Sequence, residues 1–351
     1  MCAPVLWIPR GSALFALLVG LLGACVGART SPGLVLSAGV QEPLTVERPA
    51  MGTIFRIVVW GQKGSGRAAA IEAAFEEIAE LERVLTDYDS QSEARQATRH
   101  GTEWVAISPL LAQALQHGRL LALQTNGLVD PTVGPLTRLW RRSARQGTLP
   151  DPGLLSAALE RVGFEFLELK TAPDQMRCLK EGMRLDFGAY GKGLAVDQAF
   201  ELLRSRGFNS ILVDGGGDLR VGAAPPGKSG WLVRLEARRG DGAQIAIQER
   251  ALATSGNRFQ TVRIEGSSHG HIIDPRTGLG ISTSRGVTVA ADTACAADGW
   301  ATALCIVGGE GLARLPAGMG ARLVEGKVRD GLREVRFPGK NSSSQGPEEF
   351  Q

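Results

Sequence analysis

Aromatic residues are scarce in this chain, at 5% of 351 residues, and no lysine- or arginine-rich block occurs. Both absences argue against a nucleic-acid partner, which needs stacking platforms and a cationic track along the phosphates. The formal net charge is only +3, too small to gather polyanions at long range. Cysteine is sparse as well: beyond the amino-terminal region only Cys178, Cys295 and Cys305 occur. They form no C-x-x-C pair and no Cys/His cluster, which disfavours zinc and a disulfide framework and leaves a single disulfide open. Cys305, inside Ala303-Leu304-Cys305-Ile306-Val307, reads as a small buried hydrophobe.

What is present suits a globular protein with ample material for a core: 43% apolar and 21% charged residues. The amino terminus reads as an address. Arg10 precedes an apolar run, Ala13 to Leu22, too short to span a bilayer. The run closes on Leu22-Gly23-Ala24-Cys25, which resembles the bacterial lipoprotein processing site. Residues 1–25 are therefore expected to be a signal peptide with its lipoprotein cleavage site, cut before Cys25, whose lipidated thiol then tethers the protein to a bacterial membrane on its periplasmic face. A plain secretory signal fits the same apolar run. Residues 26–44 read as a linker, 45–338 as one compact domain, and 339–351 as a disordered polar tail.

Periodicity gives the coarse structure. Ile71, Phe75, Ile78, Leu81 and Leu85 predict a helix over 66–87; Leu111, Leu115 and Leu121 predict one over 109–125, stopped by Asn126-Gly127. Further helices are expected over 194–206 and 295–307. Strands are expected at 53–60, 210–213, 231–237, 243–249, 259–265, 285–290, 321–325 and 332–337. The fold class is α+β: a single unit of mixed or antiparallel sheets flanked by helices.

Several segments carry chemistry. Asp186-Phe187-Gly188-Ala189-Tyr190-Gly191-Lys192-Gly193 opens a helix, whose free N–H groups favour a phosphate. Its glycines permit close backbone approach, Lys192 adds charge, and Asp186 can accept from a base or ribose; alone, the segment reads equally well as a glycine-rich turn ahead of an ordinary helix. Asp298 and Thr302, at i and i+4, share a helix face, and an anionic plus a neutral oxygen suit a hard ion such as Mg²⁺, although as a bare pair they read better as a solvated helix face. His269 and His271, at i and i+2, lack a third ligand, so a hydrogen-bonded turn is the better reading there than zinc. Gly127 to Leu136, with Asp130 its carboxylate, taken alone is a turn stiffened by proline and glycine.

Taken in order, the segments resemble the ApbE family of FAD:protein FMN transferases. The shared wording is Met51-Gly52-Thr53; Tyr88 with Ser92-Glu93; Asp130 to Leu136 with Trp140; Asp186 to Gly193; and Val213 to Asp218. Thr254-Ser255-Gly256, the run His271 to Gly278, and Ala297-Asp298 with Thr302-Ala303-Leu304 follow, so the likeness covers about 50 to 325. Ala97-Thr98 stand where the family usually has an asparagine, Tyr190-Gly191 where it more often has Ile-Ala, and Ala301 where some members carry a second aspartate.

The resemblance implies an ApbE-like fold and transfer of FMN from FAD to a Ser/Thr hydroxyl of an exported protein, with AMP released. The implied acceptors are subunits of sodium-pumping quinone reductases or Rnf-type complexes. It implies Mg²⁺ on Asp298, Thr302 and the Ala189 carbonyl, and FAD contacts from Met51, Tyr88, Val129, Asp130, Pro131, Asp186, Lys192, Gly216, His271 and Ile272. Asp298 and His271 are the catalytic candidates. His271 is the general-base candidate as the motif group that titrates near neutrality, with Asp274 or a metal-bound path as alternatives. Two other readings stand beside transfer: a Mg²⁺-dependent FAD pyrophosphatase, and a non-catalytic FAD-binding maturation factor for a periplasmic redox enzyme.

Overall fold

The computed structural model describes residues 41–235, 244–256 and 261–325. The signal peptide and Cys25, most of the linker, the strand expected at 332–337 and the tail lie outside the described residues. All described residues belong to one compact unit.

In chain order the elements begin with β1 (Gln41–Ala50), β2 (Thr53–Gln62), α1 (Arg67–Leu85), α2 (Glu93–Ala97), β3 (Val105–Ala106) and α3 (Pro109–Thr125). They continue with α4 (Gly134–Gln146), α5 (Pro152–Leu159), β4 (Leu167–Lys170), β5 (Gln175–Cys178), α6 (Gly191–Ser205), β6 (Ile211–Gly215), β7 (Leu219–Val221), β8 (Trp231–Arg234) and β9 (Gln244–Ile247). The last are β10 (Arg250–Gly256), β11 (Thr261–Ile264), β12 (Ser267–Gly270), β13 (Ile273–Asp274), β14 (Leu279–Gly280), β15 (Arg285–Ala291), α7 (Ala294–Val307) and β16 (Gly320–Glu325).

The frame is a seven-stranded sheet in the order β1-β2-β6-β7-β10-β15-β16, antiparallel at every pairing. Met51 and Gly52, both at positive φ, make the tight turn between β1 and β2. Along β2, Phe55, Ile57 and Val59 are fully buried, the alternation that fixes which face meets the core. They join Ile71, Ile78, Phe200 and Trp300 from α1, α6 and α7 in the main core. Leu212, Val221 and Leu252 meet Trp231 in a second cluster, under the β8–β9 hairpin.

Local signals explain the best-defined helices. Ile71, Phe75, Ile78, Leu81 and Leu85 form the buried stripe of α1. Ser108 caps α3 by accepting from Leu111 N at 3.2 Å, Pro109 starts it, and Asn126 ends it at φ 55°.

Some expectations change. Strand β1 starts at Gln41, so 41–44 pair with β2 and are not linker. Helix α6 starts at Gly191, so Lys192 and Gly193 sit in its first turn rather than in a loop ahead of it. The run Gly134-Pro135 starts α4 with proline in the first turn, where a missing N–H costs nothing. The strands expected between 231 and 265 do not follow one another in one sheet: β8 pairs β9, β11 pairs β12, and β10 runs through the main sheet between them. Cys178, Cys295 and Cys305 are free and buried, and burial pushes the Cys178 thiol up to about 11.

Candidate active site

A cleft of about 470 Å³ opens where the first turn of α6, α7, the ends of β10 and β15, and the loops at 128–133 and 271–273 meet. Asp186, Ala189, Lys192, Gly216, His271, Ile272, Asp298 and Thr302 line it, with Val129 and Asp130. Ten of the sequence-predicted positions thus converge on one wall or another.

At its floor, Lys192 Nζ forms an ion pair with Asp218 and lies 3.4 Å from Asp298 Oδ2. Gly193 N donates to the same Asp298 oxygen at 3.2 Å. The anion at the amino end of α6 is therefore the protein's own carboxylate. Gly193 makes this possible, since a Cβ there would lie 2.3 Å from Ala294 O of α7. Asp197, one turn along α6, accepts from Ala294 N at 2.9 Å and Cys295 N at 2.8 Å and pins the two helix ends together. Burial, then the neighbouring Asp218, raises the Asp298 carboxyl well above the usual carboxylate range, against the pull of Lys192 and Gly193 N–H. Burial alone would lower the Lys192 ammonium; Asp298 and Asp218 outweigh it and raise it.

Beside Asp298 runs a ladder of hydroxyls. Thr302 Oγ1 lies 3.1 Å from Ser255 Oγ and 3.4 Å from the Ala189 carbonyl, and Thr254 Oγ1 lies 3.0 Å from Thr288 Oγ1. Asp298, Thr302 and the Ala189 carbonyl form a set of hard oxygen donors, and a single lysine faces two buried carboxylates. That donor set and that shortfall of positive charge fit a hard divalent cation. Among the described residues no cluster of His, Cys, Asp and Glu forms a softer metal site.

The two histidines part company. His269, on β12, lies edge-on to Trp140 at 5.4 Å, with Nδ1 3.0 Å from Gly280 O. His271, just past the strand, is exposed and lines the cleft. Trp140 Nε1 donates to Gly270 O at 3.2 Å and so anchors the residue before His271. Asp274, the alternative base, is held on both oxygens by Arg276 at 2.9 and 2.7 Å and lies outside the cleft lining.

Asp186 is buried; Gly188 N donates to its Oδ1 at 2.8 Å and Arg141 Nη2 to its Oδ2 at 3.3 Å. Burial, then the nearby Asp87, raises its carboxyl. Asp130 lines the cleft but spends both oxygens on its own fold: Thr132 N and Oγ1 at 2.8 and 2.7 Å, and Phe164 N at 2.8 Å. Pro131 is outside the lining and acts through its carbonyl, which accepts from Asp186 N at 2.8 Å. Met51 is outside it too, its methyl 3.8 Å from where a Gly191 Cβ would stand. Tyr88 lies beyond the rim, 81% exposed, with the Arg141 guanidinium 4.5 Å over its ring. Gly216, at φ 79°, gives room to Thr53, so the Met-Gly-Thr turn buttresses the cleft from behind.

Sequence reasoning passed over Asp218, Arg141, Thr288 and Arg322, all of which line the cleft. Asp218 lay within a quoted motif, and Arg141 directly follows Trp140; the other two stand in ordinary strand sequence.

A model of the ApbE family matches residues 51–321, most of the chain and all of the cleft lining but Arg322 and Val324. The chain belongs to the ApbE family. A FAD:protein FMN transferase of Treponema pallidum is 28% identical over 280 residues, covering 74% of this chain and 77% of the relative. One of Vibrio cholerae is 28% identical over 316 residues, covering 86% and 93%. The solved structure of the flavin transferase ApbE from Vibrio cholerae superposes with a TM-score of 0.74 at 27% identity, covering 85% of this chain and 98% of that one.

One departure within this ApbE-family chain has a compensating partner. Tyr190 is fully buried, and its Oη donates to Ala114 O of α3 at 3.0 Å. Gly118 makes the room, since a Cβ there would stand 2.3 Å from that oxygen. The larger side chain is thus accommodated away from the cleft, whose lining does not include it.

Proposed function

We propose that this protein transfers FMN from FAD to a serine or threonine hydroxyl of an exported protein, releasing AMP. The observation that carries the reading is the convergence of Lys192, Asp298, Thr302, Ala189 and His271 on one cleft. Relatives named for this activity share the family.

The acceptor oxygen bonds to the FMN-side phosphorus, the phosphoanhydride bond breaks, and AMP departs with the bridging oxygen. Lys192 and the hydroxyls of Ser255 and Thr302 offer positive charge and donors to phosphate oxygens. Asp186 and the backbone around Val129, Asp130, Pro131, Gly216 and Ile272 hold the nucleotide, with Met51 supporting the site and Tyr88 contributing from beyond its rim. His271 takes the acceptor proton, a role that its exposure within the cleft supports and that Asp274, held by Arg276, is poorly placed to share. Mg²⁺ held by Asp298, Thr302 and the Ala189 carbonyl would supply Lewis-acid stabilisation of the phosphoryl group. Quinone-reductase or Rnf-type subunits are the proposed acceptors, met at the periplasmic face by an enzyme anchored through lipid on Cys25.

The test is incubation with FAD, Mg²⁺ and a purified acceptor subunit, followed by mass spectrometry and AMP assay. An FMN-mass adduct with matching AMP is expected. Free FMN and AMP without acceptor would identify a pyrophosphatase instead. FAD binding with no AMP under any condition would identify a binding protein.

A further inference from the structure

Beside the cleft, α2, α4 and the segments around them gather Arg95, Arg99, Arg138, Arg141 and Arg184. The carboxylates that meet these cations are Asp87 and Asp186. Arg141 donates to Asp87 at 2.5 Å and to Asp186 at 3.3 Å, while Arg184 lies 3.8 Å from the Asp87 carboxylate and donates to its carbonyl at 2.7 Å. Arg95 and Arg138 form no ion pair with a described residue. The Nε groups of Arg95 and Arg184 are buried without a hydrogen-bond partner, a costly state for a charged donor. Burial, then Arg99 and Arg138, lowers the Arg95 guanidinium from its ordinary value; burial, then Arg95, does the same to Arg184. Like charges are crowded here, and an anion would relieve them.

Position narrows the kind of anion. Arg141 lines the cleft; Arg95, Arg99, Arg138 and Arg184 do not. A ligand contained in the cleft meets one arginine of the group. A ligand meeting the group must extend out of the cleft beyond Arg141, whose guanidinium covers the exposed ring of Tyr88; tyrosine and arginine are both residue types enriched at protein interfaces. A polypeptide whose hydroxyl enters the cleft does this.

We propose that the arginine group around Asp87 is the docking surface for an acidic segment of the protein acceptor, laid across Tyr88 at the mouth of the cleft. The identity of that polypeptide as acceptor rests on the transferase reading; its acidic chemistry rests on the arginines. Charge complementarity of this kind sets encounter and register more than total affinity.

The test uses short fluorescein-labelled peptides with one central threonine: one rich in Asp and Glu, its Asn/Gln counterpart, and a Lys/Arg counterpart. Anisotropy should show the acidic peptide binding best, at least about tenfold tighter than the amide version, with affinity falling as salt rises. The double variant Arg99→Glu/Arg138→Glu, both exposed positions, should erase that preference while FAD affinity and the melting curve stay as in the wild type. Arg314→Glu/Arg322→Ala is avoided as a control because Arg322 lines the cleft; Arg314→Glu alone, exposed elsewhere, should bind the acidic peptide normally. Equal loss in Arg314→Glu, no preference for the acidic peptide, or a parallel loss of FAD binding in the double variant would each overturn the proposal. Acidic-peptide binding that depends on Arg99 and Arg138, together with no adduct on any acceptor, would sink the transferase reading and leave the docking surface standing.

Discussion

Asp298 is buried, and Gly193 N–H and Lys192 hold it in place. In the proposed site it would bring a carboxylate charge to a hard ion, whereas Thr302 would bring a dipole. Asp298→Ala is expected to abolish turnover at ordinary Mg²⁺. Thr302→Ala should lose about tenfold and recover in part as Mg²⁺ is raised; normal turnover in Asp298→Ala would show that the metal assignment is wrong. His271 calls for a different measurement, because recognition and proton transfer both need an imidazole at the cleft. If it is the base, His271→Ala should slow transfer by about 100-fold or more with FAD affinity little changed. His271→Gln should then bind FAD normally and remain slow. Weak FAD binding in Ala with a near-normal rate in Gln would assign the side chain to recognition.

At the scale of elements, the site depends on how closely α6 and α7 approach. Gly193 lies against the Ala294 carbonyl, and Asp197 caps the two N–H groups beside it. Gly193→Ala is expected to cost about 1–3 kcal/mol through overpacking, lowering Tm and moving Asp298 away from Lys192. Calorimetry and turnover should fall together, and an unchanged melting curve would refute the close-approach account. The elements differ in how legible they were. Helices α1 and α3 could be read because the apolar spacing, and for α3 the Asn126 stop, lie inside one window. Strand β10 could not, since its Ala-Leu-Ala stretch is buried without alternation. Strand β1 was hidden by Pro43 and Pro49 and a mostly exposed face, as befits the edge of a sheet. Helix α4 was masked because Gly134-Pro135 serves a helix start as well as it serves a turn.

For the whole molecule, among the described residues no helix is long and apolar enough to cross a membrane. The attachment proposed above is the lipid on Cys25. Cys25→Ser is expected to yield an unprocessed or released protein, seen as a shift between membrane and soluble fractions; a plain secretory signal would be indifferent to the change. Net charge is a poor guide to surface here, because a total of +3 coexists with the arginine group beside Asp87. That group draws on α2, α4 and Arg184, so no basic block marks it in the chain.

By itself, the sequence determined the α+β class, the strongest helices, and ten of the residues that line the cleft. Those signals are local: a stop, an apolar period, a spacing of i and i+4, a motif a few residues long. Only the tertiary structure decided which of those residues meet. It joined Lys192 to Asp298 across 106 positions and added Asp218 to them. It turned Asp130 inward to Thr132 and Phe164, tied Asp274 to Arg276, and separated His269 from His271. Each outcome depends on the register of strands far apart in the chain and on close approaches such as Gly193 against Ala294, which no window of sequence contains.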